Sequence, residues 1–375
     1  MSRVIVNIMS EQTIPNYLFI REMYCPGDKL LFIISQNDRF IQNTQRILDT
    51  LDWNITPIKV ILNNKGDEED WSSMTNIISS YITKDEEYLV NLTGGTKFMA
   101  LAVQTIFSGY NSKFFYIPFP KNIILGLAPN SEKKDIAWRV EVKEYLSLYG
   151  IKTKEKTIIK SEEYTNYFFT LFMNVFSNIE WQILDKLREY RNNKKGIDIL
   201  SVESQPDSKK FPQITGLQNF INSCQFQLAE ASRLKKHEIQ YLTGGWFEEY
   251  TYNLIKNKLK PNDLRLGVEI VRTESTNQND LDVVFTKGNK LYVVECKTGV
   301  GRESLFKEIV YKASALKETL LGLSANSYIF SLSPENEALN KTAQNMMLKY
   351  CDKTYFADTS KTETLLNSIK DFAND

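Results

Sequence analysis

Short apolar runs and amphipathic stretches alternate through the first third of the chain. Residues 3–8, 29–34, 56–62 and 88–92 are apolar runs of strand length. Apolar positions recur at helical spacing around 38–51, 68–83 and 96–108, which predicts a helix after each of the last three of these strands. A fifth strand falls at 113–117. Alternation of this kind predicts a doubly wound α/β sheet, where ligands sit at the carboxyl ends of strands. Residues 123–127 form another apolar run followed by a polar segment. Residues 140–149 read as a short helix ending near Gly150, and 160–240 read as mainly helical, broken by a polar loop near 205–212. From residue 241 the pattern is mixed again. The stretch Thr243 to Tyr250 opens a helix that runs to about Leu259, and a strand follows at 266–272. Two β-branched runs then flank Gly288-Asn289. A helix over about 303–320, a strand at 328–332, a helix, a strand at 353–357 and a last helix complete the chain. Three regions are therefore expected: an α/β domain over 1–130, a linker and helical region over 131–240, and a second α/β domain over 241–375.

The stretch 279–299 carries the sharpest chemistry. Gly288-Asn289 is a two-residue hairpin loop. Counting outward from Lys287 and Lys290 sets Asp282 opposite Glu295, and directly opposed residues lie about 5 Å apart at Cβ. The two-residue period puts Lys297 on the face of Glu295. The other positions are apolar on both faces (Val284 and Val293 on one; Val283, Phe285 and Val294 on the other), which predicts a sheet covered on both sides. Two facing acids and a lysine in such a sheet call for a cation. Upstream, Phe247, Tyr250, Leu254 and Ile255 define the predicted buried face of the helix opened by Thr243 to Tyr250. Glu248 flanks that face and can reach the acids, whereas Glu249 points nearly opposite. In the 303–320 helix, Lys312 shares the inward stripe of Leu305 and Leu316 and is expected to point at the acidic site or a phosphate.

A second candidate site lies at the strand ends of the first domain. The strand at 88–92 runs into Thr93-Gly94-Gly95-Thr96-Lys97 and then a helix. Glycines let the backbone approach an anion, and a helix start offers unpaired N–H groups. The P-loop spacing is not met. Ser10, Glu11, Gln12, Thr13 and Asn16 follow the first strand and should lie beside this loop. Polar segments at 35–37 and 118–122 complete a site rich in hydrogen-bond donors.

Charge narrows the options. The 46 basic and 46 acidic residues cancel, so any nucleic-acid contact must be a local patch. Lys194-Lys195 and Lys209-Lys210 read as solvated charge pairs, with guidance of nucleic acid as the lesser alternative. The four cysteines are scattered without a CxxC, which argues against a disulfide framework or zinc site and for a reducing cytoplasm. No run spans a bilayer, and the N-terminus has no signal-peptide form. The single histidine, His237, is expected at the surface, and its solitude excludes paired-histidine hydrolysis.

Asp282, twelve intervening residues and Glu295-Cys296-Lys297 resemble the PD-(D/E)xK nucleases, with Asp280 in place of the looser upstream partner and no Pro. Thr93 to Lys97 and Ser10 to Asn16 resemble the two signatures of the CRISPR-associated Rossmann-fold (CARF) sensor domain. Together the chain resembles the CRISPR ancillary nucleases with one sensor and one nuclease domain per subunit. The resemblance implies an N-terminal Rossmann-like CARF domain, a helical linker and a C-terminal restriction-endonuclease-like α/β domain. It implies an endonuclease of type III CRISPR defence, cutting DNA, RNA or both with manganese or magnesium, and activated by cyclic oligoadenylate bound across a homodimer. Cyclic tetra-adenylate is the favoured ring. Asp282, Glu295 and the Cys296 carbonyl are expected to hold the metal, with Lys297 at the water and Glu248 and Lys312 in support. Ser10 to Thr13, Asn16 and Thr93 to Lys97 are expected to hold the activator. Three alternatives stay open: a nucleotide-sensing DNA-binding regulator with a silent nuclease fold, an unregulated restriction-type nuclease, and a sensor that slowly degrades its ligand.

Overall fold

The computed structural model describes residues 2–62, 64, 66–129, 131–158, 160–206, 211–271, 279–299 and 326–374. The first sheet contains β1 (Ser2–Ile8), β2 (Lys29–Ser35), β3 (Ile58–Leu62), β4 (Glu86–Asn91), β5 (Ser112–Tyr116), β6 (Ile123–Gly126) and β7 (Lys133–Asp135), in the order β3-β2-β1-β4-β5-β6-β7. The first five strands pair in parallel, and β6 and β7 add antiparallel at one edge. Helices α1 (Ile14–Met23), α2 (Asp38–Leu51), α3 (Trp71–Ser79) and α4 (Lys97–Phe107) cover the two faces. The strand order reverses between β1 and β4, where a doubly wound sheet opens a crevice. The expected doubly wound α/β fold is what forms.

Helix α5 (Val142–Leu148) leads into β8 (Lys152–Glu155), which leaves the first domain. It pairs antiparallel with β11 (Asp263–Val271) at the edge of a second, six-stranded sheet. That sheet continues with β12 (Asn279–Lys287), β13 (Lys290–Lys297), β14 (Asn326–Ser331) and β15 (Lys349–Cys351). Between β8 and β11 run α6 (Glu162–Thr170), α7 (Asn178–Glu189), the short pair β9 (Ile197–Asp198) and β10 (Arg233–Leu234), α8 (Ile199–Ser204), α9 (Leu217–Ser223), α10 (Lys236–Gln240) and α11 (Trp246–Leu259). The segment expected to be a linker thus supplies a strand of the second sheet.

Both faces of that sheet are covered, as its apolar hairpin requires. Val283, Phe285, Tyr292 and Val294 join one core with α11 and the helices before it. Val284, Leu291 and Val293 join a second core with Tyr17 of α1 and Tyr145 of α5. The first domain is therefore one of the two covering layers.

Several expectations change. Helix α11 has no single inward stripe: Trp246, Phe247, Glu249, Thr251, Asn253, Ile255 and Leu259 are all buried, whereas Tyr250 and Leu254 are only partly so. Helix α6 covers its outer side, with Phe169 stacked on Tyr250 at 4.1 Å and Asn253 Nδ2 donating to Thr165 Oγ1 at 3.2 Å. Residues 353–357, expected as a strand, form a helix started by Asp352, whose Oδ1 accepts from the Thr354 amide at 2.8 Å. The strand lies just before it, at Lys349–Cys351. The 303–320 helix, Lys312 included, and Lys209-Lys210 lie outside the described residues.

Candidate active site

The hairpin forms in the expected register. Lys287 faces Lys290 and Val283 faces Val294, one step short of Asp282 and Glu295. Gly288 (φ 57°) and Asn289 (φ 60°) both take the left-handed conformation that this tight turn demands. Past the regular pairing, the side chains of Asp282, Glu295 and Lys297 meet. Lys297 Nζ lies 3.1 Å from Glu295 Oε2 and 3.3 Å from Asp282 Oδ2. Asp282 Oδ2 also accepts the Cys296 amide at 2.7 Å.

A local inversion of the pleat aims these groups. Strict alternation would put Leu281 with Val283, yet Leu281 packs in the core of Val284 and Val283 in the opposite one. On the neighbouring strand Leu266 and Val268 split in the same way, around Gly267 at φ 58°. Gly267 is required twice over. It has a positive φ, and an added Cβ would lie 2.3–2.8 Å from the side-chain carbons of Lys156. The Lys156 amide donates to the carbonyls of Leu266 and Gly267 at 3.3 and 3.1 Å.

Asp282 and Lys297 open onto a cavity of about 850 Å³. Glu248 lines it from α11, where the sequence placed it. Burial and then the Asp282 charge push the Glu248 pKa up, Lys156 and Lys297 oppose the shift, and the net result is about 8. Burial pulls the Lys297 pKa down, but Asp282 and Glu295 outweigh it and the net shift is upward. Burial, then the Asp282 charge, pushes the Cys296 thiol up, so it stays protonated. Glu249 is not the exposed residue expected: it is 3% exposed, and its Oε2 accepts from Tyr241 Oη at 3.1 Å and the Lys160 amide at 3.2 Å.

Three cations at this cavity escaped the sequence reading. Lys156, just after β8, reaches Asp280 Oδ2 at 3.4 Å. Burial lowers its pKa, but Glu248, Asp280 and Asp282 together raise it. Arg188 and Arg191, at and beyond the end of α7, line the opposite wall. No motif marks them, because strand pairing and helix packing bring them in from far along the chain. His237 is exposed, as expected, and lies at the rim.

Among the described residues, no three His, Cys, Asp or Glu side chains form a ready-made metal cage. The groups present nevertheless suit a hard cation. The donors are carboxylate oxygens, the class magnesium and manganese prefer, and magnesium takes only one or two of them while keeping several waters. Asp280 Oδ1 is buried with no hydrogen-bond partner among the described residues.

The first-domain loops converge as expected at the ends of β1 and β4. Asn16 Nδ2 donates to the Ile8 carbonyl at 2.9 Å, and Asn91 Nδ2 donates to Asn16 Oδ1 at 2.9 Å. Thr93 Oγ1 donates to Asn91 Oδ1 at 2.6 Å and accepts the Ile117 amide at 2.8 Å. Thr13 Oγ1 donates to the Leu148 carbonyl at 3.2 Å. Thr13 and Asn16 are buried, and with the partly buried Thr93 they brace the loops from beneath. Gly94 is fixed by space: an added Cβ would lie 2.0 Å from the Ile8 carbonyl oxygen. Thr96 caps α4, its Oγ1 accepting the Met99 amide at 3.1 Å. Glu11, Gln12, Gly95 and Lys97 are exposed and Ser10 partly so, and Glu11 pairs with Arg39 at 2.8 Å.

Fold and site together define a Rossmann-like sensor domain joined to a restriction-endonuclease-like domain. Residues 4–145 match the Card1 CARF domain family and residues 235–358 the Card1-like endonuclease domain family. The chain belongs to the CRISPR ancillary nucleases that combine a CARF domain with a PD-(D/E)xK nuclease domain. Its fold is similar to that of protein VC1899 from Vibrio cholerae (17% identity, TM-score 0.74, covering 99% of this chain and 98% of that one). It is also similar to Can2 from Sulfobacillus thermosulfidooxidans, solved with cyclic tetra-adenylate (22% identity, TM-score 0.68, covering 97% and 99%). A type III CRISPR defence DNA nuclease activated by cyclic oligoadenylate shares the fold at 14% identity and TM-score 0.54, over 90% of this chain and 47% of that one. No curated protein matches the chain. Among the described residues, no helix is long and apolar enough to cross a membrane.

Proposed function

We propose that the protein is a metal-dependent endonuclease of type III CRISPR defence, activated by cyclic oligoadenylate and cutting phosphodiester bonds in DNA, RNA or both. The observation that carries this reading is the convergence of Asp282, Glu295 and Lys297 at one end of the hairpin, where Asp282, Lys297 and Glu248 line one cavity. Asp282 and Glu295 would hold Mg²⁺ or Mn²⁺, with the Cys296 carbonyl as a further oxygen. A bound cation supplies a water of lowered pKa and offsets charge developing on the phosphate. Lys297 balances the two carboxylates and stands within reach of the attacking water. Glu248, with its raised pKa, is suited to hold or exchange a proton beside them.

The activator reading rests on the Card1 CARF match and on the exposed edge formed by Ser10 to Gln12 and Gly95 to Lys97 at the sheet's switch point. The cyclic tetra-adenylate bound by the Can2 relative makes that ring the first to test. Trp71, Phe98 and Leu101 are exposed beside Lys97, and this apolar surface suits a second copy in a homodimer. Domain limits near 1–130, 131–240 and 241–375 fit this organisation, with β8 lent to the nuclease sheet. A cytoplasmic location fits four free thiols.

The test is cleavage of labelled DNA and RNA in Mn²⁺ or Mg²⁺, with and without cyclic tetra- or hexa-adenylate, for wild type and Glu295→Ala. Activator-dependent cleavage by wild type alone is expected. Equal cleavage by both proteins would remove the site, and cleavage indifferent to the activator would favour an unregulated nuclease.

A further inference from the structure

The segment between the two matched domains, residues 146–234, is assigned no role by either match. It nevertheless supplies Lys156, Arg188 and Arg191 to the wall of the nuclease cavity. Arg191 is exposed to the cavity, and Lys156 is 41% exposed at its side chain, so both can meet a bound molecule. Arg188 Nη2 lies 3.5 Å from Thr298 Oγ1, which ties α7 to the end of the catalytic strand.

A second opening of about 390 Å³ adjoins this cavity, and His237 lines both. Its remaining lining is Lys194, Lys195, Arg233, Lys235, Lys236 and the single acid Glu230. Glu230 is engaged by Lys235 at 2.8 Å. The Arg233 guanidinium donates to the Lys195 carbonyl at 2.8 and 3.1 Å, which fixes the fold of this rim. Among the described residues, no carboxylate pairs with the ammonium groups of Lys194, Lys195 and Lys236. In a chain with no net charge, such a concentration beside a cavity of carboxylates is a local device.

We propose that residues 146–234, together with Lys236 just beyond them, build a phosphate track that leads a nucleic-acid strand into the nuclease site: Lys156, Arg188 and Arg191 hold the backbone near the scissile bond, and Lys194, Lys195 and Lys236 hold it outside. This rests on the nuclease reading. Phosphate contacts position a strand without reading its sequence and make its affinity salt-dependent.

The test uses the full chain carrying Glu295→Ala, so that bound substrate is not cut. Binding of labelled duplex DNA, single-stranded DNA and RNA is followed by anisotropy across a salt series, with and without Lys194→Gln/Lys195→Gln/Lys236→Gln. For the preferred nucleic acid, the triple substitution is expected to weaken binding about tenfold or more at low salt. It should also make the log–log salt slope shallower by about two to three, roughly one per lost phosphate contact. The charge-retaining Lys194→Arg/Lys195→Arg/Lys236→Arg protein should bind as its parent. In the otherwise wild-type enzyme, the Gln variant should raise KM while kcat at saturating substrate stays within about twofold of wild type. Unchanged affinity and unchanged salt slope on all three nucleic acids would overturn the track. Cleavage surviving in Glu295→Ala would instead overturn the nuclease site, so the two readings fail separately.

Discussion

Lys297 sits between two acids that are almost fully enclosed, and that position dictates what its removal does. Its amine is within 3.3 Å of both Asp282 and Glu295, and the Glu295 side chain is only 4% exposed. Lys297→Met should leave two repelling carboxylates without their counter-charge. The metal-free protein should lose about 1–3 kcal/mol of stability, read as a lower urea midpoint in EDTA. Added Mn²⁺ should recover part of that loss, because a cation answers the same excess charge. A midpoint equal to wild type would show that the acids are solvated. Glu248 gives a second test with a fixed sign. Its pKa stands at about 8 in the folded chain against an ordinary 4.5, so between those values the folded state keeps a proton that the unfolded state has released. The contribution of Glu248 to the stability of the metal-free protein therefore falls as pH rises through that window. Glu248→Gln cannot ionise and should lack that part of the fall, with the gap between the two proteins widening from about pH 5 to 8. Parallel urea-derived profiles would mean that Glu248 ionises as an ordinary surface acid.

Gly267 governs two elements at once, the pleat inversion of β11 and β12 and the path of Lys156 across it. Gly267→Val should cost about 1–3 kcal/mol from the positive φ alone. The clash with Lys156 should add to this and draw its amine away from Asp280. We expect lower thermal stability together with a loss of kcat/KM, and wild-type values for both would refute the close approach. No residue pattern announced this feature. A strict two-residue period would continue through Asp282. Asp282, Glu295 and Lys297 still meet, because the register is set at the Gly288-Asn289 turn, beyond the inversion. Elements with a stripe or a start signal were legible: α2 spans the predicted 38–51, begun by Asn37, whose Oδ1 accepts from the Arg39 amide. Elements without one were not. Helix α1 lies between two sheets, and its residues from Ile14 to Ile20 are all buried, so it shows no polar face to mark a helical period. Strand β8 is Lys-Thr-Lys-Glu at a sheet edge and has no apolar alternation. Without a legible β8, Lys156 has no place in the sheet, and a mainly helical 160–240 gives no sign that Arg188 and Arg191 reach the site. The acids and Lys297 were legible because a single hairpin carries them; the cations around them come together only in the folded chain.

At the scale of the whole molecule, the hairpin joins the two domains end to end. Its far end holds Asp282, Glu295 and Lys297, and its turn is held by the sensor side. Asn289 Oδ1 accepts the Val140 amide at 2.8 Å, while its Nδ2 donates to Asn122 Oδ1 at 2.8 Å and to the Trp138 carbonyl at 3.1 Å. Asn122 immediately precedes β6, and Trp138 and Val140 follow β7, at the rim of the first sheet. The core of Val284, Leu291 and Val293 with Tyr17 and Tyr145 makes the contact continuous along the strands. A sensor that moves on binding its ligand would therefore pull on the catalytic strands through their turn. Coupling of this kind requires only that ligand favour one of two arrangements of that contact. Asn289→Gly tests it cleanly. Glycine accepts φ 60° as well as asparagine does, so the turn and the acid register should persist. The three hydrogen bonds to the sensor are lost. We expect cleavage without activator to stay within about threefold of wild type, while stimulation by cyclic tetra-adenylate falls about tenfold or more, in line with a coupling free energy of about 1–3 kcal/mol. Activator affinity, measured by titration calorimetry, should weaken in step, since coupling between two sites acts in both directions. Full stimulation in Asn289→Gly would move the route of control away from the hairpin, to the edge where β8 pairs with β11.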